Sequence, residues 1–332
     1  MPENRMRIWR FHDFGSLDTL RLEERSIPEP DPGEVRVKLS YAALNPADAY
    51  LIRGQYPRAG TPPFAVGRDG CGQVVSAGQR FKEGDWVVIL RGETGVTRDG
   101  TLAEYVTVAE ESLAPLPEGW TAREGAAAPL VFLTAWQALV DAGGLTGGQT
   151  VLITGASGGL GTAALILAKC MGARAIATTR SPEKQVRLRE LGADAVADTD
   201  AEDFVSAARE AMDGGRADMA VENLGGPFIQ HCIQLVKEQG RIAVVGLLAG
   251  LKSEIIVGQL IFKRARIEGV QVGAYTPEAA QEAWRGVVES LEGTGRRPVI
   301  DNTYAMDDVR RAFDRLAEGP MGKVIVAVGD GV

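Results

Sequence analysis

The sequence predicts an α/β protein in which a doubly wound parallel-sheet domain is inserted into a β-rich domain. Three observations carry this expectation. Strand and helix patterns alternate from about residue 150 to residue 246, the signature of a parallel sheet with helices on both faces. Residues 6–120 read as short strands between Gly/Pro turns, spaced too closely to hold crossover helices. A glycine run, TGASGGLG from Thr154 to Gly161, stands directly after a strand and opens an apolar helix.

In the first region VRVKLSY (35–41), GQVVSAG (72–78), DWVVIL (85–90) and AEYVTV (103–108) show β-branched or alternating apolar patterns. PEPDPGE, PRAGTPPF and KEGD between them are turn chemistry. Near residue 120 the text changes. EGAAAPLVFLTAWQALVDAG is helical in composition, and GGLTGGQT breaks it. Then come the strand VLITG, the helix LGTAALILAKCMGA, the strand AIATT and the helix SPEKQVRLRELGA. AVAD, a helix over 201–212, ADMAVEN, a helix over 227–238 and RIAVVG complete the alternation. Beyond about 265 lie RIEGVQVGA, helices over 277–292 and 306–317, and a closing strand KVIVAV. The expected boundaries are 1–124 with 267–332 for the β-rich domain and 125–266 for the insert.

At 332 residues the chain exceeds one domain of about 100–200 residues. Its 45% hydrophobic content supplies a sizeable core. A net charge of −8, spread along the chain, repels polyanions and argues against a nucleic-acid partner. No stretch reaches the roughly 18–20 apolar residues that span a bilayer, and the first residues lack a signal-peptide core. Cys71, Cys170 and Cys232 lie far apart and form no CxxC pair. That usage fits a reducing cytoplasm and leaves no cluster for a structural zinc.

The glycine run has the residues a phosphate cradle needs. The chain must turn tightly, the backbone must approach a pyrophosphate without a Cβ, and the helix must pack close to the strand. Ala156, Ser157, Gly158, Gly159, Leu160 and Gly161 are therefore expected to bind a dinucleotide. An NAD site places a carboxylate about 20 residues on, for the ribose hydroxyls. Here Thr179, Arg180, Ser181 and Lys184 occupy that strand end. Two cations and hydroxyls suit a 2′-phosphate, so the expected cofactor is NADPH. Asn223 and Gly246-Leu247 end later strands of the same sheet, at the edge where ligands bind.

TGASGGLG also fits the short-chain dehydrogenase pattern, which needs a Tyr with Lys four places on. None of the six tyrosines has one. The chain instead resembles the medium-chain dehydrogenase/reductase superfamily, in particular its zinc-free quinone oxidoreductase branch. The matching features begin with Asn45-Pro46-Ala47-Asp48, Tyr50, Arg53-Gly54 and Tyr56-Pro57. They continue with Gly67 and Gly72-Gln73-Val74-Val75, Gly84-Asp85-Trp86-Val87 and GAAAPLVFLTAW. The glycine core, Leu191-Gly192-Ala193-Asp194 and the final GKVIVAV follow in the same order. The resemblance covers nearly the whole chain and implies a GroES-like domain holding an inserted Rossmann domain.

It also implies roles. The catalytic zinc ligands of the alcohol dehydrogenases would fall at Asn45, Arg68 and about Leu130, with Asp69 nearby. An amide, a cation and an apolar side chain cannot replace thiolate and imidazole, so no metal is expected. Asn45 would lie near the nicotinamide and the reacting oxygen, with Tyr50 and Tyr56 as hydrogen-bond donors or substrate walls. Arg53 is either a donor or part of a structural ion pair. Thr134 would sit by the nicotinamide phosphate or ribose. Asp69 is expected to pair with Arg68, with a catalytic acid as the other reading; Cys71, in apolar context, is expected to be inert. The implied reaction is NADPH-dependent reduction of a quinone or an α,β-unsaturated carbonyl. Enoyl-thioester reduction, a zinc-free alcohol dehydrogenase-like activity and NADPH binding without turnover are the alternatives. A homodimer is expected through IFKRARIEGVQVGA.

Overall fold

A computed structural model describes residues 4–329. They divide into two compact units, one formed by the chain up to Leu130 with Tyr275–Trp284 and the chain from Pro298, the other by Val131–Ala274 with Arg285–Arg297.

The β-rich unit opens with β1 (Arg5–Phe11), β2 (Leu20–Ser26), β3 (Glu34–Ala43), α1 (Pro46–Ile52), β4 (Asp69–Val74) and β5 (Trp86–Ile89). It continues with β6 (Tyr105–Ala109), β7 (Leu113–Pro115) and α2 (Ala122–Ala127). Alternation along β3 buries Val35, Val37 and Leu39; after a register shift between Leu39 and Tyr41, Ala42 joins the same core while Ala43 packs on the other face with Ala127 and Ile325. α1 is a helix where the sequence reads as strands and turns. Asn45 precedes it, Pro46 fills its first position, and the Asn45 amide donates to Asp48 Oδ2 at 2.8 Å. α2 packs on β3, β4 and β5, so helical text expected in the insert belongs to this unit and moves the boundary from 124 to Leu130.

The second unit begins in α3 (Pro129–Trp136), which runs into a π-helical turn, Gln137–Ala142. It then alternates: β8 (Thr150–Ile153), α4 (Gly159–Cys170), β9 (Arg174–Thr179), α5 (Pro182–Glu190), β10 (Ala195–Asp198) and α6 (Phe204–Ala211). β11 (Ala217–Glu222), α7 (Phe228–Leu235), β12 (Val236–Val244), α8 (Val257–Lys263) and β13 (Arg266–Gly269) complete it. All pairs in this sheet are parallel, in the order β10-β9-β8-β11-β12-β13. The winding reverses between β8 and β11, and ligands of such sheets bind at the carboxyl ends of the strands there. α4 is apolar on every side and buried from Gly161 to Ala168. α8 shows no inward stripe: Val257, Ile261 and Phe262 are exposed.

The C-terminal elements are α9 (Pro277–Leu291), β14 (Ile300–Ala305), α10 (Val309–Ala317) and β15 (Lys323–Ala327). β14 and β15 extend the β-rich sheet to the order β14-β15-β3-β4-β5-β7, with β6 on the remaining length of β3. Among the described residues no helix is long and apolar enough to cross a membrane.

Candidate functional site

The glycine run forms the turn between β8 and α4. Gly155 holds φ +56°, and a Cβ on Gly161 would stand 2.5 Å from both the Ala156 Cα and the Gly155 carbonyl oxygen. Ala156 is fixed through its amide, which donates to the Thr178 carbonyl at 3.0 Å. Ser157 and Gly158 lead into the helix, and Gly159, Leu160 and Gly161 are its first residues. First-turn amides have no partner inside their helix and carry the positive end of its dipole, which favours an anion there.

Across the winding reversal, Asn223 follows β11. Its amide donates to Thr154 Oγ1 at 2.8 Å and its Nδ2 to the Thr154 carbonyl at 2.7 Å. Thr154 Oγ1 in turn donates to Glu222 Oε1 at 3.0 Å, and the Glu222 carboxylate accepts the Leu224 and Gly225 amides, each at 2.8 Å. Burial raises the Glu222 pKa against those three donors. The network locks Asn223 with its Oδ1 buried and without a partner among the described residues. A buried acceptor held in this way awaits a donor from outside the protein. Gly246 closes the other side: a Cβ there would lie 1.9 Å from the Asn223 carbonyl oxygen. Leu247 beside it is exposed, and Thr134 is buried on α3. Cradle and orphaned acceptor together fit a dinucleotide.

At the end of β9, Thr179 is buried and Arg180 exposed. The Ser181 hydroxyl accepts the Lys184 amide at 3.4 Å and so caps α5. The strand is followed by Arg180 and Ser181, and the first turn of the helix carries Glu183 and then Lys184.

The β-rich unit holds a buried polar cluster. In its sheet Ala43 pairs with both Asp69 on β4 and Ile325 on β15, so Asn45 after β3, Asp69 and Lys323 converge. Lys323 Nζ donates to Asn45 Oδ1 at 2.6 Å and to Asp69 Oδ2 at 2.9 Å. Asn45 Nδ2 donates to Asp69 Oδ2 at 2.9 Å, and the Leu130 amide to Asp69 Oδ1 at 2.9 Å. All three side chains are nearly inaccessible. Asp48 lies near them; burial pushes its pKa up to about 6, against the pull of the Asn45 amide and the Arg68 and Lys323 charges.

One expectation changes here. Asp69 pairs with Lys323, not Arg68. Arg68, just before β4, instead donates to the Tyr56 hydroxyl at 3.3 Å, its guanidinium carbon 5.7 Å from that ring's centroid. Asn45 is also engaged at both ends of its amide. Tyr50 lies half-buried on α1 and bonds to none of these groups. Lys323 and Glu222 were missed, each standing in text that reads as plain strand. Burial pushes the Cys71 thiol up to about 12, which keeps it protonated and inert.

Cradle, winding reversal and strand order define a protein built on a dinucleotide-binding sheet. Residues 31–118 match the model of the alcohol dehydrogenase GroES-like domain, and residues 159–293 that of the zinc-binding dehydrogenases. A quinone oxidoreductase of Pseudomonas aeruginosa is 30% identical over 93% of this chain and 95% of its own. The 2-methylene-furan-3-one reductase of Solanum lycopersicum is 30% identical over 97% of this chain and 79% of its own. A crystal structure described as an NAD-dependent alcohol dehydrogenase superposes with a TM-score of 0.87 at 31% identity, covering 97% of this chain and 100% of that one. The chain belongs to the medium-chain dehydrogenase/reductase superfamily, in the branch of the quinone oxidoreductases. Its donor set does not suit the metal in one family model's name. The Asn45 amide oxygen is taken by an ammonium, and a guanidinium stands at position 68.

Proposed function

We propose that the chain carries hydride from NADPH to a quinone or an α,β-unsaturated carbonyl compound, with no metal taking part. The observation that carries this reading is the β8–α4 cradle whose neighbouring strand is followed by Arg180, Ser181 and Lys184. Bound nicotinamide would supply the hydride at its C4 carbon. The chain's part is to hold and orient. The amides from Ser157 to Gly161 would take the pyrophosphate, and Arg180 and Lys184 the 2′-phosphate. Thr134, Asn223 Oδ1 and the Gly246-Leu247 backbone would fix the ribose and nicotinamide. A conjugated acceptor needs less carbonyl polarisation than a simple ketone, which suits a site without a Lewis acid. The Tyr56 oxygen accepts from Arg68, so its own proton is left to stabilise the oxygen on which charge develops. Tyr50 would form a wall of the acceptor site, and Asn45, held by Lys323 and Asp69, its fixed polar edge.

The test sets NADPH beside NADH with 1,4-benzoquinone and a simple enone. NADPH is expected to be preferred, and Arg180→Ala to raise the KM for NADPH about tenfold while shifting that for NADH less than about twofold. An equal rise in both would overturn the cofactor assignment. Tight NADPH binding without oxidation by any acceptor would favour a binding protein.

A homodimer belongs to the same reading. β13 is the last strand of its sheet and is exposed along its length. Leu248, Leu251, Ile256, Ile261 and Phe262 expose a large apolar surface in the segment leading to it. Sedimentation equilibrium distinguishes one copy from two.

A further inference from the structure

Arg68 is a buried guanidinium, 8% exposed, whose hydrogen bond goes to a neutral phenol. No carboxylate lies within 4.0 Å of it among the described residues, although two are near. Both oxygens of Asp69 are taken, by Lys323, Asn45 and the Leu130 amide. Asp48 feels the Arg68 charge, but its bonded oxygen faces the Asn45 amide.

The remaining neighbours add positive charge. Burial lowers the Arg91 pKa, and the charges of Arg68 and then Arg58 lower it further, with Glu111 acting in the opposite direction. Arg68 and Arg58 thus both lie close enough to Arg91 for their charges to act on it. A guanidinium cannot shed its proton to relieve this, and its planar fork matches a carboxylate in two parallel hydrogen bonds. Burying an unpaired charge is costly; the group that completes this arrangement is an anion.

We propose that Arg68, flanked by Arg58 and Arg91, is an anion subsite, and that the acceptor reduced here carries a carboxylate. The inference rests on the reductase reading above for its name of acceptor, but the subsite can be tested without turnover. The Tyr56 ring, already against the guanidinium, would then lie along the acceptor's apolar body.

The binding arm titrates benzoate and benzamide, which share shape and differ in charge, into the full-length protein with NADPH at saturation to occupy the cations of the cradle. Benzoate is expected to bind at least about tenfold tighter than benzamide. Arg68→Gln should reduce that ratio to within about twofold, and Arg68→Lys, which keeps the charge and loses the fork, should restore only part of it. The exposed Arg58→Gln guards against misfolding at the buried position and should lower the ratio by about two- to fivefold, as a flanking charge. Equal binding of the two ligands by wild type, or an Arg68→Gln variant that keeps the full ratio, overturns the subsite. The turnover arm compares 4-carboxycinnamaldehyde with its methyl ester. A higher kcat/KM for the acid that vanishes in Arg68→Gln supports the proposal, and identical values for acid and ester in both proteins overturn it. Absence of turnover with any acceptor overturns the reductase reading alone, and the binding arm still decides the subsite.

Discussion

Lys323→Met is expected to destabilise the β-rich unit by about 3–5 kcal/mol, the usual cost of leaving one member of a buried ion pair behind. Asp69 is fully buried, and the ammonium 2.9 Å away is its one cationic partner within 4.0 Å among the described residues. Without it, a carboxylate would face only the amides of Asn45 and Leu130. The double variant Lys323→Met/Asp69→Asn should recover more than half of the loss, because neither charge is then stranded and an asparagine oxygen can still accept the Leu130 amide. Urea denaturation of the four proteins of this cycle measures the coupling. A single-variant loss below about 1 kcal/mol, or a double variant no more stable than the sum of the singles, would show that the pair does not hold this region together. Turnover should stay low even in the restabilised double variant, since Asn45 has lost the group that fixes its amide oxygen. That separates positioning from stability.

Gly161→Ala is the second change with a large expected effect. A methyl group would stand 2.5 Å from the Ala156 Cα and from the Gly155 carbonyl oxygen. Both are backbone atoms, so α4 itself must move off the loop that follows β8. Overpacking of this kind costs about 1–3 kcal/mol or more, and the displaced first-turn amides no longer converge on one point. NADPH affinity, read by the fluorescence of the bound nucleotide, should fall at least about tenfold, and the thermal midpoint should drop with it. Gly258→Ala on α8 is the control: a Cβ there meets nothing within 4 Å, and the change should be neutral or slightly stabilising. If Gly161→Ala kept wild-type affinity and melting, the loop could not be the tight cradle described.

The features legible in the sequence are those in which neighbours along the chain decide the structure. The alternation of strands and helices from Thr150 onward specified the parallel sheet because each crossover is local and short. TGASGGLG announced its turn because only glycine tolerates the backbone approach now seen at Gly155 and Gly161. The signals of α1 were present too, an Asn, then Pro, then Asp, but they stood in a run of turn residues that resembles its surroundings. α8 gave no stripe to read, because Val257, Ile261 and Phe262 are exposed and only Leu260 of its large apolar side chains is half-buried. The polar cluster was out of reach for a different reason. Lys323 and Asn45 stand 278 residues apart, and nothing in GKVIVAV distinguishes a lysine that opens a strand from one that enters the interior. Only the pairing of Ala43 with strands on both sides brings them together.

The bridge from Lys323 to Asn45 and Asp69 also bears on how such a chain could change its chemistry over evolutionary time. A thiolate placed at position 45 would have the Lys323 ammonium, not an empty space, at hydrogen-bonding distance. A divalent ion placed there would meet a fixed positive charge at hydrogen-bonding distance, in surroundings with little water to screen it. Losing Lys323 alone strands Asp69. The ammonium thereby ties any change at position 45 or 69 to a change at position 323.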